Sequence, residues 1–210
     1  MIKHIIFDFN GTIINDVELC LDLLNEILVG QGKTPVSLER YREVFKFPIK
    51  QYYIDAGVDF NIESFESLAD KFIKKYQPKS FSCGLYDGTV ETIKYLRAKG
   101  IKTYILSASE RNNLLEQCEK YNICNLFDAI LGIDDIHARG KVDIAVEYMK
   151  KANINPDEVL FIGDTLHDYE VSRAINCQCY LVSCGHQSID ILRKANVKIL
   201  SKISDLRDIF

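Results

Sequence analysis

The first apolar stretch of the chain is short, rich in β-forming residues, and followed at once by a polar turn. Residues 3–7 (KHIIF) predict a buried strand that ends at Asp8. Asn10 and Gly11 come directly afterwards and are typical of a turn. The opening of the chain therefore predicts a strand that presents an acidic side chain at its carboxyl end.

From about residue 16 the apolar positions recur at helical spacing instead. Leu23, Leu24 and Ile27 are examples, and Gly30 follows the run. Further helical patterns are predicted over 37–46, 49–56 and 62–76. This block shows no convincing strand, so we expect an all-helical insertion over residues 16–82.

The rest of the chain alternates between helical and strand patterns. Strands are predicted at KTYILS (102–107), AILGI (129–133), VLFIG (159–163) and CYLVS (179–183), with helices at about 87–99, 110–121, 141–152 and 167–175. Strands that alternate with helices predict a parallel sheet covered on both faces. We therefore expect an α/β fold with a doubly wound sheet, in which residues 1–15 and 83–210 form the core domain and residues 16–82 form a helical cap.

Candidate chemistry follows from the residues at the ends of these strands. Asp8 ends the first strand, Ser107 the second and Asp164 the fourth, and Lys141 begins the helix after the third. Ligands of parallel α/β sheets bind beyond the carboxyl ends of the strands. Two carboxylates, one hydroxyl and one ammonium are therefore expected at one edge of the sheet.

These side-chain types suit phosphoryl chemistry. Two close carboxylates repel one another, and a divalent cation removes the conflict; oxygen ligands favour magnesium over zinc. A lysine and a hydroxyl can hold phosphoryl oxygens, and a carboxylate can be the nucleophile.

The motifs resemble those of the haloacid dehalogenase-like superfamily. DFNGT (Asp8 to Thr12) is similar to its first motif, usually D-x-D-G-T, while Ser107 and Lys141 resemble the second and third. GDTLHD (Gly163 to Asp168) resembles the fourth. The helical insertion resembles a C1-type cap, and RYREVFKFPI (Arg40 to Ile49) is similar to cap segments of phosphoglycolate phosphatase-like members.

The resemblance implies a magnesium-dependent phosphatase that acts on a small phosphorylated metabolite through an aspartyl-phosphate on Asp8. The resemblance implies catalytic roles for Asp8, Asn10 and Lys141. It implies that magnesium is bound or supported by Asp8, the backbone carbonyl of Asn10, Asp164 and Asp168. It implies that the substrate is contacted by Thr12, Ser107, the backbone N–H of Ala108 and Lys141.

Position 10 departs from the family pattern, because the usual aspartate is Asn10. An amide keeps the backbone carbonyl for the metal but cannot act as general acid and base, a role worth about 10² to 10⁴ in rate. Three interpretations stay open. The first is a slow or selective phosphatase, in which His167 or a cap residue replaces the missing acid, or in which the leaving group needs little protonation. The second is a protein that binds phosphate or accumulates phospho-Asp8, and the third is another reaction of the superfamily. A phosphonate-cleaving reaction would need a cap lysine such as Lys33 or Lys46.

The composition of the chain limits the kinds of binding partner that we expect. The formal net charge is −4, which argues against electrostatic capture of nucleic acid or an anionic membrane. We find no long uninterrupted apolar segment and no signal-peptide pattern, so we expect a cytoplasmic monomer or homodimer. The seven cysteines are odd in number and scattered, which predicts free thiols.

Overall fold

A computed structural model of the chain describes residues 1–133 and 140–210. Its strands are β1 (His4–Phe7), β2 (Lys102–Glu110), β3 (Ala129–Ile133), β4 (Val159–Gly163), β5 (Gln178–Val182) and β6 (Lys198–Leu200). Its α-helices are α1 (Val17–Gly30), α2 (Leu38–Val44), α3 (Ile49–Ala56), α4 (Phe65–Ser80), α5 (Thr89–Ala98), α6 (Arg111–Lys120), α7 (Lys141–Lys151), α8 (Leu166–Ala174) and α9 (Ile189–Leu192).

The strands form one sheet in the order β3-β2-β1-β4-β5-β6, and every pairing is parallel. The chain therefore winds outward in both directions from β1, as the alternating pattern predicts. A crevice opens beyond the carboxyl ends of β1 and its neighbours, because the connections on either side of β1 leave in opposite directions.

Alternation along the strands divides the core into two clusters. On β1, Ile5 and Phe7 belong to one buried cluster and Ile6 to another; on β4, Leu160 and Phe161 divide in the same way. Successive strand side chains point to opposite faces, so each cluster covers one face of the sheet. This explains why strands buried on both faces are almost wholly apolar in sequence.

Helices α1 to α4 hold a hydrophobic cluster of their own. It includes Leu24, Leu28, Tyr41, Tyr53 and Leu68. The cluster shares no buried residue with those that cover the sheet. Its separateness supports the proposal that residues 16–82 are a cap domain.

One strand differs from its expected length. β2 continues to Glu110, three residues beyond the predicted end at Ser107. Its pairing with β3 is irregular between Leu106 and Glu110, and the pairing resumes at Glu110. The local hydrophobic pattern stops at Ser107, so the polar extension could not be recognised from apolar residues alone.

All seven cysteines are free, as their number and spacing predict. Within residues 1–133 and 140–210, no helix combines the length and the apolar character needed to cross a membrane.

Candidate active site

Three acidic side chains meet at the carboxyl edge of the sheet. Asp8 follows β1, Asp164 follows β4, and Asp168 lies in the first turn of α8. One carboxylate oxygen of each lies within 4.8 Å of the other two, and all three side chains are buried. The strand ends thus bring together the acidic residues on which the sequence interpretation depends.

Lys141 lies among these carboxylates. It is the first residue of α7 and is only 4% exposed. Its ammonium donates hydrogen bonds to Asp8 and, at 2.6 Å, to Asp168 Oδ1. Burial disfavours the charged ammonium, but the carboxylates of Asp168 and Asp8 outweigh it and raise the pKa of Lys141, so it stays protonated.

The charges in this site do not balance. Burial raises the pKa of Asp8 well above its usual value, and the carboxylates of Asp168 and Asp164 raise it further against the opposing charge of Lys141. Burial likewise raises the pKa of Asp164 to about 6. Three carboxylates therefore face one ammonium in a buried site, and the atoms that these acidic side chains offer to a metal are all oxygen. That combination fits a divalent hard cation such as magnesium.

Asp168 is held rigidly by the start of its own helix. Its Oδ2 accepts hydrogen bonds from the backbone N–H groups of Asp164 and Thr165 and from the Thr165 hydroxyl, at 3.1, 3.0 and 2.7 Å. Its other oxygen accepts from Lys141. Burial acts to raise the pKa of Asp168, but Lys141 and the Thr165 contacts lower it. Asp168 therefore stays ionised and fixes the positions of its neighbours.

Thr12 occupies a different place from the predicted substrate contact. It is fully buried, and its hydroxyl donates to Asp164 Oδ1 at 3.0 Å. The other oxygen of Asp164 accepts from the backbone N–H of His186 at 2.7 Å. Thr12 is not among the residues that line the cavity, and its hydroxyl orients Asp164.

Asn10 has hydrogen-bond partners at both ends of its amide. The nitrogen donates to Asp16 Oδ2 at 2.9 Å and to the Tyr76 hydroxyl at 2.6 Å. The oxygen accepts from the hydroxyls of Ser107 at 3.3 Å and Ser109 at 3.1 Å. An aspartate here would meet the carboxylate of Asp16 directly, so asparagine is the residue that this surrounding structure accommodates.

Asp16 belongs to a buried network that the sequence interpretation missed. Its Oδ2 accepts from the Tyr76 hydroxyl at 2.7 Å, and its Oδ1 accepts from the backbone N–H of Gly11 at 2.9 Å and lies 3.3 Å from His186 Nε2. Burial would raise the pKa of Asp16, but His186 lowers it. Asp16 in turn raises the pKa of His186 against burial. Tyr41 completes the network, since its hydroxyl lies 2.7 Å from His186 Nδ1.

His186 could have been predicted from its position after a strand, as Asp8 and Asp164 were. His186 follows β5, so it lies at the same edge of the sheet as Asp8 and Asp164. Asp16 gave no such signal, because a polar residue before a helix predicts an N-cap. The structure shows no cap hydrogen bond from Asp16, whose carboxylate faces Asn10 instead.

A cavity of about 340 Å³ opens between this edge of the sheet and the cap. Ser107 and Ala108 contribute to its wall on the sheet side, together with the acidic cluster and Lys141. The cap side is contributed by Phe45, Phe47, Ile49, Phe72 and Ile73, with Tyr76. Phe45 and Phe47 are thus the two phenylalanines of the α2–α3 region that line the cavity. Tyr41, Tyr52 and Tyr53 pack in the cap core.

Three other charged or titratable side chains near the site have partners outside the cavity. Arg42 donates to the backbone carbonyls of Gly185 and Cys184 at 3.0 and 2.9 Å, which ties the cap to the loop after β5. Lys46 pairs with Asp55. His167 contacts Glu170 at 3.1 Å and stacks near Phe47, with ring centroids 4.5 Å apart. None of the three lies on the cavity wall.

The chain is similar to known proteins in sequence and in fold. A family model described as haloacid dehalogenase-like hydrolase matches residues 5–182. Phosphoglycolate phosphatase 1 of Pseudomonas aeruginosa is 21% identical over 97% of this chain and 78% of its own length. The haloacid dehalogenase-like family hydrolase of Streptococcus pneumoniae superposes with a TM-score of 0.83 at 18% identity, covering 100% and 98% of the two chains. Protein tyrosine kinase A of Mycobacterium tuberculosis superposes with a TM-score of 0.81 at 19% identity, covering 99% and 97%.

Proposed function

Because the chain belongs to the haloacid dehalogenase-like hydrolase family, we propose that it is a magnesium-dependent phosphatase that forms an aspartyl-phosphate on Asp8. The observation that carries the proposal is the meeting of Asp8, Asp164 and Asp168 within 4.8 Å. The substrate would be a small phosphorylated metabolite, since the curated relatives are phosphoglycolate phosphatases.

The residues present fit the metal. Asp8, the backbone carbonyl of Asn10 and Asp164 would hold magnesium, with Asp168 supporting them. When bound, magnesium offsets the carboxylate charge and lets an anionic nucleophile approach an anionic phosphate. A cytoplasmic location and a monomeric or dimeric state remain part of the same proposal.

Each remaining residue has a proposed task. Asp8 attacks phosphorus; Lys141 and the Ser107 hydroxyl bind the phosphoryl oxygens, and the backbone N–H at Ala108 contributes a further donor. The P–O bond to the leaving group breaks, and water then releases phosphate from Asp8. The Ser107 hydroxyl accepts from the backbone N–H of Ser109 at 3.1 Å and donates to Asn10 at 3.3 Å, and it would exchange the longer bond to Asn10 for one to a phosphoryl oxygen.

A second function is favoured by one observation, the hydrogen bonds of Asn10. An amide fixed between Asp16 and two serine hydroxyls neither gives nor takes a proton, which favours a protein that binds phosphate or keeps it on Asp8 with little turnover. A phosphonate-cleaving reaction finds less support. Lys33 donates to the carbonyl of Gly57 and Lys46 pairs with Asp55, so neither faces the cavity.

Phosphate release separates the two functions. Wild type should release phosphate from an ester panel with magnesium, and chelation should stop it. Asp8→Asn should lower turnover by about 10⁴-fold or more, as losing a nucleophile does elsewhere. Asp190→Asn removes an exposed carboxylate on α9 and should change nothing. Phosphate binding without release from any ester would favour the second function.

A further inference from the structure

The cap side of the cavity has a chemical character that the proposed function does not use. Most of its side chains are aromatic or aliphatic, beside Asp16, Cys20 and Gln77. Two of the apolar side chains are open to solvent: Phe47 is 37% and Ile73 50% exposed. Large apolar side chains exposed together beside a polar site mark a place where an apolar group binds.

The apolar wall continues into the cap. A second cavity of about 250 Å³ is lined by apolar and aromatic cap residues, and five residues line both cavities: Cys20, Phe45, Ile49, Phe72 and Ile73. The two together leave room above the acidic cluster for a ring as well as a phosphoryl group.

The cavity offers few cationic groups to an anionic leaving group, because His186 lines it but has its Nε2 3.3 Å from the carboxylate of Asp16. Among the described residues that line the cavity, Lys141 is the one lysine or arginine, and it is already bonded to Asp8 and Asp168. Glu110 and Asp16 add negative charge to the wall. A substrate with a second carboxylate, such as phosphoglycolate, would place that charge against apolar and acidic side chains at a cost in desolvation.

Asn10 limits the leaving group in an independent way. With no proton donor at position 10, the oxygen that departs must accept the electron pair of the broken P–O bond unaided. A phenolic oxygen does so readily, since a phenol loses its proton near pH 10, whereas an aliphatic alkoxide is far more basic. The missing acid and the apolar wall therefore select the same kind of substrate.

We infer that the substrate is a small aryl phosphate, whose phosphoryl group lies at Asp8 and Lys141 and whose ring packs between Phe45, Phe72 and Ile73. The inference rests on the proposed phosphatase function. Asp8 attacks phosphorus, the P–O(aryl) bond breaks, and the phenolate leaves and takes a proton from water. A second water then attacks phosphorus, the bond to Asp8 breaks, and inorganic phosphate and one proton are released.

The test compares kcat/KM for substituted phenyl phosphates, ethyl phosphate and phosphoglycolate with magnesium. Wild type should favour phenyl phosphate over both alkyl esters by about 10²-fold or more, with a steep dependence on leaving-group basicity. Asn10→Asp should make that dependence shallower. Ile73→Lys should lower kcat/KM for phenyl phosphate about tenfold. Ile54→Lys is the matched control, because Ile54 is a similarly exposed cap residue (48%) outside both cavities, and it should leave the value unchanged.

The possible outcomes distinguish the aryl-phosphate inference from the proposed phosphatase function. Asp8-dependent hydrolysis of phosphoglycolate at least as fast as of phenyl phosphate would overturn the inference and leave the phosphatase function standing. An unchanged aryl preference in Ile73→Lys would overturn the assignment of the apolar wall. No Asp8-dependent turnover of any ester would remove the phosphatase function, and the inference with it.

Discussion

The side-chain nitrogen of Asn10 donates a hydrogen bond to Asp16 Oδ2 at 2.9 Å, inside a buried network that also holds Tyr76. Asp16 is fully buried and ionised, because His186 and its hydrogen-bond donors lower its pKa against burial. The asparagine at position 10, where the family usually has aspartate, therefore suits the carboxylate of Asp16. Substitutions at these two positions should be tested singly and in combination.

Asn10→Asp should lower the free energy of unfolding by about 1–3 kcal/mol, because a half-buried carboxylate would meet the buried carboxylate of Asp16 where an amide now donates. Denaturant unfolding of the metal-free protein measures the change. Asn10→Asp combined with Asp16→Asn exchanges the two groups and should recover at least half of the loss.

The control for this exchange is Asp16→Asn alone. It removes the partner of His186 and should be destabilising by itself. Equal stability of wild type and Asn10→Asp, or a double variant that merely adds the two single losses, would show that Asn10 and Asp16 are not coupled.

The strand pattern was sufficient to predict Asp8, Asp164 and Lys141 as neighbours. Asp8 and Asp164 come directly after apolar runs, Lys141 begins the helix that follows the third strand, and parallel strands all end at one edge. The partners of Asn10 could not be predicted in this way. Tyr76 comes from α4, and its hydroxyl reaches Asn10 only because the cap packs above the sheet. That distance depends on how α4 packs against the turn after β1, about which local periodicity says nothing.

Magnesium should stabilise the protein against heat through the acidic cluster. At about 100 times its dissociation constant a ligand adds roughly 2.7 kcal/mol, which for a chain of this size corresponds to a rise of about 5–10 °C in Tm. Asp164→Ala should abolish the magnesium-induced rise, since the site loses a carboxylate. Asp190→Ala, at an exposed acidic residue on α9, should keep it. A rise of equal size in all three proteins would place the ion elsewhere.

The two chemical steps should differ in rate. Attack by Asp8 on 4-nitrophenyl phosphate needs no acid, because the leaving group is weakly basic, but attack by water on phospho-Asp8 lacks a base at position 10. A rapid burst of nitrophenolate, approaching one equivalent per enzyme, should therefore precede slow turnover. Stopped-flow absorbance measures the burst, and intact mass should show one added phosphoryl group.

Asn10→Asp supplies the comparison for the burst. Restoring a carboxylate near the phosphoryl group should speed the second step and shrink the burst while steady-state turnover rises. Linear product formation from the first turnover in wild type, with no mass-shifted protein, would contradict a rate-limiting second step. It would indicate that phosphoryl transfer to Asp8 limits turnover.

Gly163 should tolerate no side chain, because it is the last residue of β4 and lies against Asp168. A Cβ built there would lie 2.3 Å from Asp168 Cγ, and Asp168 cannot move away, since Asp164, Thr165 and Lys141 all hold it. Gly163→Ala should therefore cost about 1–3 kcal/mol of unfolding free energy and reduce turnover by displacing Asp168 from Lys141.

Gly30→Ala tests whether this cost belongs to the site. Gly30 ends α1, and a Cβ there would meet nothing within 4 Å. Alanine at that position should leave stability unchanged or raise it by up to about 1 kcal/mol, since it mainly restricts the unfolded chain. Denaturant unfolding and phosphate release on both variants decide the point. If Gly163→Ala were as stable and as active as Gly30→Ala, Asp168 would be mobile, and its proposed support of the metal ligands would have to be abandoned.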